Sequence, residues 1–246
     1  MQQVWVGVGE SARPVELPGP DQHVMPGIRW GSAADPYAPA YWAALCRGPE
    51  DVLPHYVSDD ATLIEAVGFC LLGGFGIKFE VNQAAYVRLR DAGAFEDHVR
   101  LTVERLTELL VAPLLVGGRS VRYRFPNQRA RRIAAMREDL VSDDLAGLSP
   151  LELRDRLQAI GGIGPKTASW IVRNHLGSDE VAILDVHVIR ACRTMSLFPD
   201  EIVLPRDYAA LERRFLEFAD GIGVQASVLD AVMWSEVRQD YGAARR

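Results

Sequence analysis

Cysteine is scarce in this chain: Cys46, Cys70 and Cys192 stand far apart in 246 residues, without the paired spacing of a metal site. Such scatter argues against a disulfide framework and suits free, buried thiols in a reducing compartment. Long apolar runs are missing as well. No segment approaches eighteen uninterrupted apolar residues, and the N-terminus lacks the basic-then-apolar pattern of a secretory signal, so a soluble, cytoplasmic protein is expected. There is no internal repeat, low-complexity tract or convincing strand alternation to indicate a solenoid or a mainly β fold. Positive charge is also in deficit: the net charge of −6 argues against an indiscriminate nucleic-acid binder, while leaving room for a local basic surface. What the chain does have is apolar residues, 48% of the total, enough for one large domain or two small ones.

The most informative stretch runs from Ile160 to Arg190. Ser149-Pro150-Leu151-Glu152 carries an N-cap serine, a proline at the first helical position and a glutamate three residues after the cap, so a helix is predicted to run to about Ile160. Gly161-Gly162-Ile163-Gly164 then ends it, and Pro165 opens a second helix with Lys166, Ala168, Ile171, Val172 and Leu176 at helical spacing. A helix, hairpin, helix results. Its glycines leave backbone N–H groups bare at a helix N-terminus, where a phosphate can approach closely. Nineteen residues after Lys166 stands Asp185.

The run GGIGPKTASWIV followed by VAILDVHVIR resembles the helix-hairpin-helix motif of the DNA glycosylase superfamily. Within it the chain is most similar to the 8-oxoguanine DNA glycosylase/AP lyases of the second type, which lack an iron–sulfur cluster. The resemblance implies that Lys166 is the nucleophile and Asp185 the catalytic carboxylate, that Gly162 and Gly164 face the DNA backbone, and that their carbonyls hold a monovalent cation. It implies no organic cofactor. Three scattered cysteines also cannot make the four-cysteine cluster of other relatives.

These two residue types suit the chemistry. An amine can attack the sugar C1′, displace a damaged base and remain as a Schiff base that permits β-elimination. A nearby carboxylate can take the amine proton and stabilise positive charge developing on the sugar. The amine must be neutral to attack, which calls for desolvation in a closed pocket. Each residue also has a purely structural reading. A lysine after a glycine turn is usually solvated or touches a phosphate, and Asp185 is a natural N-cap for a helix from Val186 to Cys192. His187 is assigned no role.

A second stretch supports DNA as partner. From Arg119 to Arg137 the chain reads RSVRYRFPNQRARRIAAMR, with no acid, and arginine suits bidentate phosphate contacts. It resembles the RF-x-N-x-x-A-x-x-I pattern that precedes the hairpin in the same glycosylases. Arg129 and Arg132 are therefore candidate DNA-backbone contacts, although some of these arginines must simply face water.

Ser58-Asp59-Asp60 can cap a helix carrying Leu63, Ile64, Val67, Phe69, Leu71 and Leu72, which Gly73-Gly74-Phe75-Gly76 follows. Phe75 is either a wedge against a base or a core side chain behind a glycine stop. Asn82 to Ala92 and Phe95 to Leu110 read as helices, broken between Ala112-Pro113 and Gly117-Gly118. Arg206 to Ala219 has core spacing at Tyr208, Leu211, Phe215 and Phe218. Gln225 to Arg238 forms a last helix, whose LDAVMW segment resembles a base-facing helix of the second-type enzymes. Asp230 and Trp234 are thus base-pocket candidates, with burial and solvation as the competing readings. Those enzymes also use a C-terminal lysine, which the terminal Arg245-Arg246 does not supply.

Taken together, the expectation is an all-α protein with two helical subdomains and a base pocket between them. Residues 1–57 form a Pro/Gly-rich N-terminal extension, with Val4 to Val8 a candidate strand, and residues 58–246 form the glycosylase domain. The expected activity is base-excision repair of 8-oxoguanine in duplex DNA, with AP lyase chemistry through a lysine Schiff base, by a monomer without membrane contact, nucleoid-associated if prokaryotic. A glycosylase for another modified base, as in invading DNA, and a non-catalytic DNA-binding hairpin protein are the alternatives.

Overall fold

The structure is a computed structural model that describes residues 1–7, 9–48, 61–74, 76–141, 145 and 147–243. In chain order its elements are β1 (Gln2–Val6), β2 (Arg13–Leu17), β3 (His23–Met25), β4 (Ile28–Arg29), α1 (Pro39–Cys46), α2 (Leu63–Leu72), α3 (Phe79–Asp91), α4 (Val103–Val111), β5 (Leu114–Val116), β6 (Arg119–Val121), α5 (Pro126–Val141), α6 (Pro150–Gln158), α7 (Pro165–Leu176), α8 (Val186–Thr194), α9 (Tyr208–Gly221) and α10 (Ala226–Ala243). The fold is mostly helical, as expected. Its strands make three separate two-stranded antiparallel hairpins, β1–β2, β3–β4 and β5–β6, too short to register as alternation in the sequence. Among the described residues no helix is long and apolar enough to cross a membrane.

Two compact units divide the chain, one of Met1–Pro54 with Gly177–Arg246 and the other of His55–Leu176. In the second, α2 starts behind a capping box: the Glu65 amide donates to Thr62 Oγ1 (3.2 Å) and the Thr62 amide to Glu65 Oε2 (2.8 Å). The Ser58 to Asp60 cap candidates lie outside the described residues. Leu71, Leu72, Leu89, Leu106, Leu110, Ile133 and Met136 are fully buried, where α2 packs on α3 and α5, and α4 on α5. The predicted helix from Phe95 begins only at Val103, capped by Thr102 (3.2 Å). Arg137 explains the delay. Its buried guanidinium donates to the carbonyls of Ala94 and, at 2.6 Å, Glu96, which a helix would have used for itself. Gly117 and Gly118, both at positive φ, make the two-residue turn of the β5–β6 hairpin.

In the first unit, residues 1–48 share one hydrophobic core with the C-terminal helices. Leu17, Ile28, Trp30 and Trp42 are buried together with Phe215, Phe218, Leu229 and Met233. Polar ties reinforce the packing: Tyr41 donates to Glu236, and the Arg47 guanidinium to the Ile222 carbonyl at 3.1 Å. Burying those four leading apolar side chains contributes about 1.5–3 kcal/mol each before entropy is counted. The described part of the extension is thus built into the unit that also holds α8, α9 and α10.

Candidate active site

The hairpin forms as its residue types dictate. Ser149 and Glu152 make a reciprocal capping box at the start of α6. The helix ends at Gln158, and the chain tightens through Ile160 N to Leu157 O (3.1 Å) and Ile163 N to Ile160 O (3.0 Å). Ile160 and Ile163 are buried and hold the turn, while Gly161, Gly162 and Gly164 are exposed. Gly162 has φ +105, which a side chain would rarely adopt. Nothing lies within 4 Å of where a Cβ would stand on Gly161 or Gly164, so these faces of the turn are bare. Pro165 opens α7, whose first bond runs from Ala168 N to Gly164 O at 2.9 Å. The amides of Lys166 and Thr167 precede that bond and point into the anion-attracting end of the helix.

Lys166 is exposed, contrary to the desolvated setting expected for a neutral amine. Its neighbour is Cys70 on α2, a thiol that burial pushes up to about 12 while the lysine charge opposes the shift. Trp170, one turn further along α7, stacks on Phe69 with ring centroids 6.4 Å apart, fixing α7 against α2.

Asp185 belongs to the other unit and is half-buried at the N-terminus of α8. Its Oδ1 accepts from the amides of His187 (2.8 Å) and Val188 (2.9 Å). Both bonds fall on Oδ1, so the cap does not engage Oδ2. His187 Nδ1 is buried with no hydrogen-bond partner.

The arginine run divides. Arg119, Arg122, Arg124 and Arg131 are exposed, and Arg132 is half-buried. The Arg132 guanidinium lies against the hairpin, 2.9 Å from the position of a Cβ on Gly162. Arg129, by contrast, corrects the expectation of a DNA contact: it is buried, donates to the Gly73 carbonyl at 2.7 Å, and desolvation lowers its pKa. The glycine junction has its explanation there. A Cβ on Gly74 would stand 3.2 Å from Arg129, and one on Gly76 only 2.3 Å from Arg124, so these glycines make room for guanidinium groups. Phe75 lies outside the described residues.

Asp230 also departs from its expected place. It is buried, and its Oδ2 accepts from the Ile183 amide at 2.9 Å, so it holds backbone rather than facing a base. Trp234 is half-buried with the Arg238 guanidinium 4.8 Å from its ring centre. Sequence reasoning missed Phe125, an exposed aromatic at φ +65 under the Arg124 guanidinium (4.6 Å). The available signal was an aromatic residue directly before the proline that opens a helix. A shallow groove of about 730 Å³ beside α3 and the β5–β6 hairpin, lined by Phe79, Val87 and Leu115 among others, contains none of the candidate residues.

Comparison with known proteins places the chain in a family. The 8-oxoguanine DNA glycosylase/AP lyase of Metallosphaera sedula is 33% identical over 116 residues, 46% of this chain and 57% of that protein. Its namesake from Saccharolobus solfataricus is 30% identical over 125 residues, 47% of this chain and 60% of that protein. The matched region thus spans well under two thirds of these relatives' length. Among solved structures, the 8-oxoguanine DNA glycosylase of Thermotoga maritima superposes with a TM-score of 0.52 and 28% identity, over 72% of this chain and 79% of that one. That of Methanocaldococcus jannaschii has the same fold, with a TM-score of 0.52 and 24% identity over 71% and 77% of the two chains. A family model described as 8-oxoguanine DNA glycosylase matches residues 58–224, which take in the hairpin, Lys166 and Asp185, and on that match this chain belongs to the 8-oxoguanine DNA glycosylase family.

Proposed function

We propose that this protein excises 8-oxoguanine from duplex DNA and then cleaves the abasic site by lyase chemistry. The observation that carries the reading is Lys166 standing exposed in the first turn of α7, directly behind a hairpin with bare faces at Gly161 and Gly164. Phosphate binding at that turn by the hairpin amides, with Arg132 alongside, delivers a nucleotide to the lysine. The neutral Lys166 amine attacks C1′, the bond from C1′ to the base breaks, and the base leaves with the electron pair and takes a proton. The lysine nitrogen then expels O4′, which takes a proton as the sugar ring opens, and the imine left at C1′ acidifies C2′. Loss of a C2′ proton then expels the 3′ phosphate with the C3′–O electron pair. Asp185, with Oδ1 fixed by two amides, offers Oδ2 to accept the lysine proton and to stabilise charge on the sugar.

The monovalent cation implied by the resemblance would be held by the carbonyls of Gly162 and Gly164, and the turn suits it poorly. The Arg132 guanidinium places a like charge beside Gly162.

Borohydride trapping tests the reading, with the wild type beside Lys166→Gln on duplexes carrying 8-oxoguanine or an abasic site. A covalent adduct on both duplexes with the wild type alone is the expected result. Trapping on the abasic duplex only would keep the lysine chemistry and assign the enzyme to a different base. No adduct on either would refute the Schiff-base mechanism and leave a DNA-binding hairpin protein.

A further inference from the structure

The segment that leads into Asp185 lies outside every helix and strand, yet the four amides from Ala182 to Asp185 are each bonded. Ala182 N donates to Glu212 Oε1 (3.0 Å), Ile183 N to Asp230 Oδ2 (2.9 Å) and Leu184 N to the Tyr208 hydroxyl (3.2 Å). The Tyr208 hydroxyl donates in turn to the Ala182 carbonyl (2.8 Å), and Asp185 N donates to the Ile183 carbonyl (3.0 Å). Three side chains from α9 and α10 therefore grip three successive peptide groups. All of them are buried: Glu212 and Tyr208 are 3% exposed and Asp230 2%.

This is an unusual way to hold a connection. Loops ordinarily run over the surface and bond to water. Burying a carboxyl is costly unless it is hydrogen-bonded, and here two carboxyls are buried against a few residues of irregular chain. Val181, Ala182 and Leu184 meanwhile sink their side chains into the core, at 0%, 0% and 1% exposure. Backbone and side chains are thus fixed independently. The carboxylate that follows is fixed again by the two amides at the start of α8.

We propose that Tyr208, Glu212 and Asp230 are positioning residues that set the place of Asp185 for base excision, a role that rests on the function proposed above. None of them touches the reacting atoms in this scheme. They act through the peptide groups of Ala182, Ile183 and Leu184, so their effect passes entirely through Asp185. A general contribution to folding would instead weaken every property of the protein alike.

The test is single-turnover excision of 8-oxoguanine, measured beside DNA affinity and the urea unfolding midpoint. Tyr208→Phe removes one hydroxyl, and with it the bonds to Leu184 and Ala182, while keeping the ring. It is expected to lower the excision rate roughly ten- to a hundredfold, the scale of a misplacement of up to 1 Å, with DNA affinity unchanged within about twofold. Asp230→Asn keeps an oxygen that can accept from Ile183 and should retain the rate within about threefold, whereas Asp230→Ala should lose it as Tyr208→Phe does. In an Asp185→Asn background, Tyr208→Phe should produce no further loss. Faster hydrogen exchange at the amides of residues 182–184 in Tyr208→Phe would report the loosened grip directly. The proposal is overturned if Tyr208→Phe and Asp230→Ala excise at the wild-type rate, if their loss is the same with and without Asp185, or if it lies wholly in affinity. A wild type that neither excises 8-oxoguanine nor traps on an abasic site would overturn the underlying function instead, and this proposal with it.

Discussion

Gly162 and Gly164 sit two residues apart in one exposed turn, yet a methyl group on each should disturb different things. Gly162 has φ +105, and its added Cβ would stand 2.9 Å from the Arg132 guanidinium. Holding an L residue in a left-handed conformation costs roughly 1–2 kcal/mol. Displacing a half-buried guanidinium adds to it, so Gly162→Ala is expected to lose about 1–3 kcal/mol of stability and several degrees of Tm. At Gly164 the new methyl meets nothing within 4 Å. The cost to folding there is under about 1 kcal/mol, the usual preference for glycine over alanine at a helix entry. That methyl nevertheless projects where a phosphate must come close, and affinity for duplex DNA should fall about tenfold, or 1.4 kcal/mol. Urea unfolding and fluorescence anisotropy with a labelled duplex measure the two effects side by side. If Gly164→Ala unfolds as early as Gly162→Ala, or if Gly162→Ala matches the wild type in stability, the account of this turn is wrong.

Removing residues 1–48 should uncover the C-terminal helices, because Leu17, Ile28, Trp30 and Trp42 leave their core. Each contributes about 1.5–3 kcal/mol, so the truncated chain should lose hydrogen-exchange protection across α8, α9 and α10. Unchanged protection there would refute the shared core. Acid sensitivity gives another check. Hydrogen bonds from Ser149 hold the Glu152 carboxyl below its ordinary pKa, and those from Arg206 and the Val203 amide do the same for Asp207. A depressed folded pKa means stability that is present above the unfolded value and lost as pH falls through the folded one. Urea midpoints should therefore drop below about pH 4.5, and Ser149→Ala should make that decline shallower. An unaltered acid slope would count against the capping bond as its source.

Local signals account for what the sequence revealed. The Ser149 box, the glycines and Pro165 all act within a few residues of themselves, and the hairpin stands where they put it. Asp185 was legible for the same reason, as a cap for the residues immediately after it. What escaped was set by distant partners. The late start of α4 depends on Arg137, more than forty residues along the chain, taking carbonyls near Ala94. Arg129 and Asp230 carry charges that suggest a surface or a ligand, and only the fold reveals that each is committed to backbone. Tyr208 read as one more core aromatic, because spacing reports the buried ring but not what its hydroxyl reaches. The leader likewise gave no sign that its tryptophans would join the core of helices encoded far downstream.

That shared core has a consequence for synthesis. The unit of residues 55–176 is continuous in the chain, whereas the other unit draws on residues that come before it and after it in the sequence. Translation at about 5–20 residues per second separates residue 48 from residue 243 by about 10–40 seconds. Through that interval Trp30 and Trp42 have no partners from α9 or α10 to cover them. The nascent chain therefore carries those apolar side chains uncovered until α9 and α10 have been made.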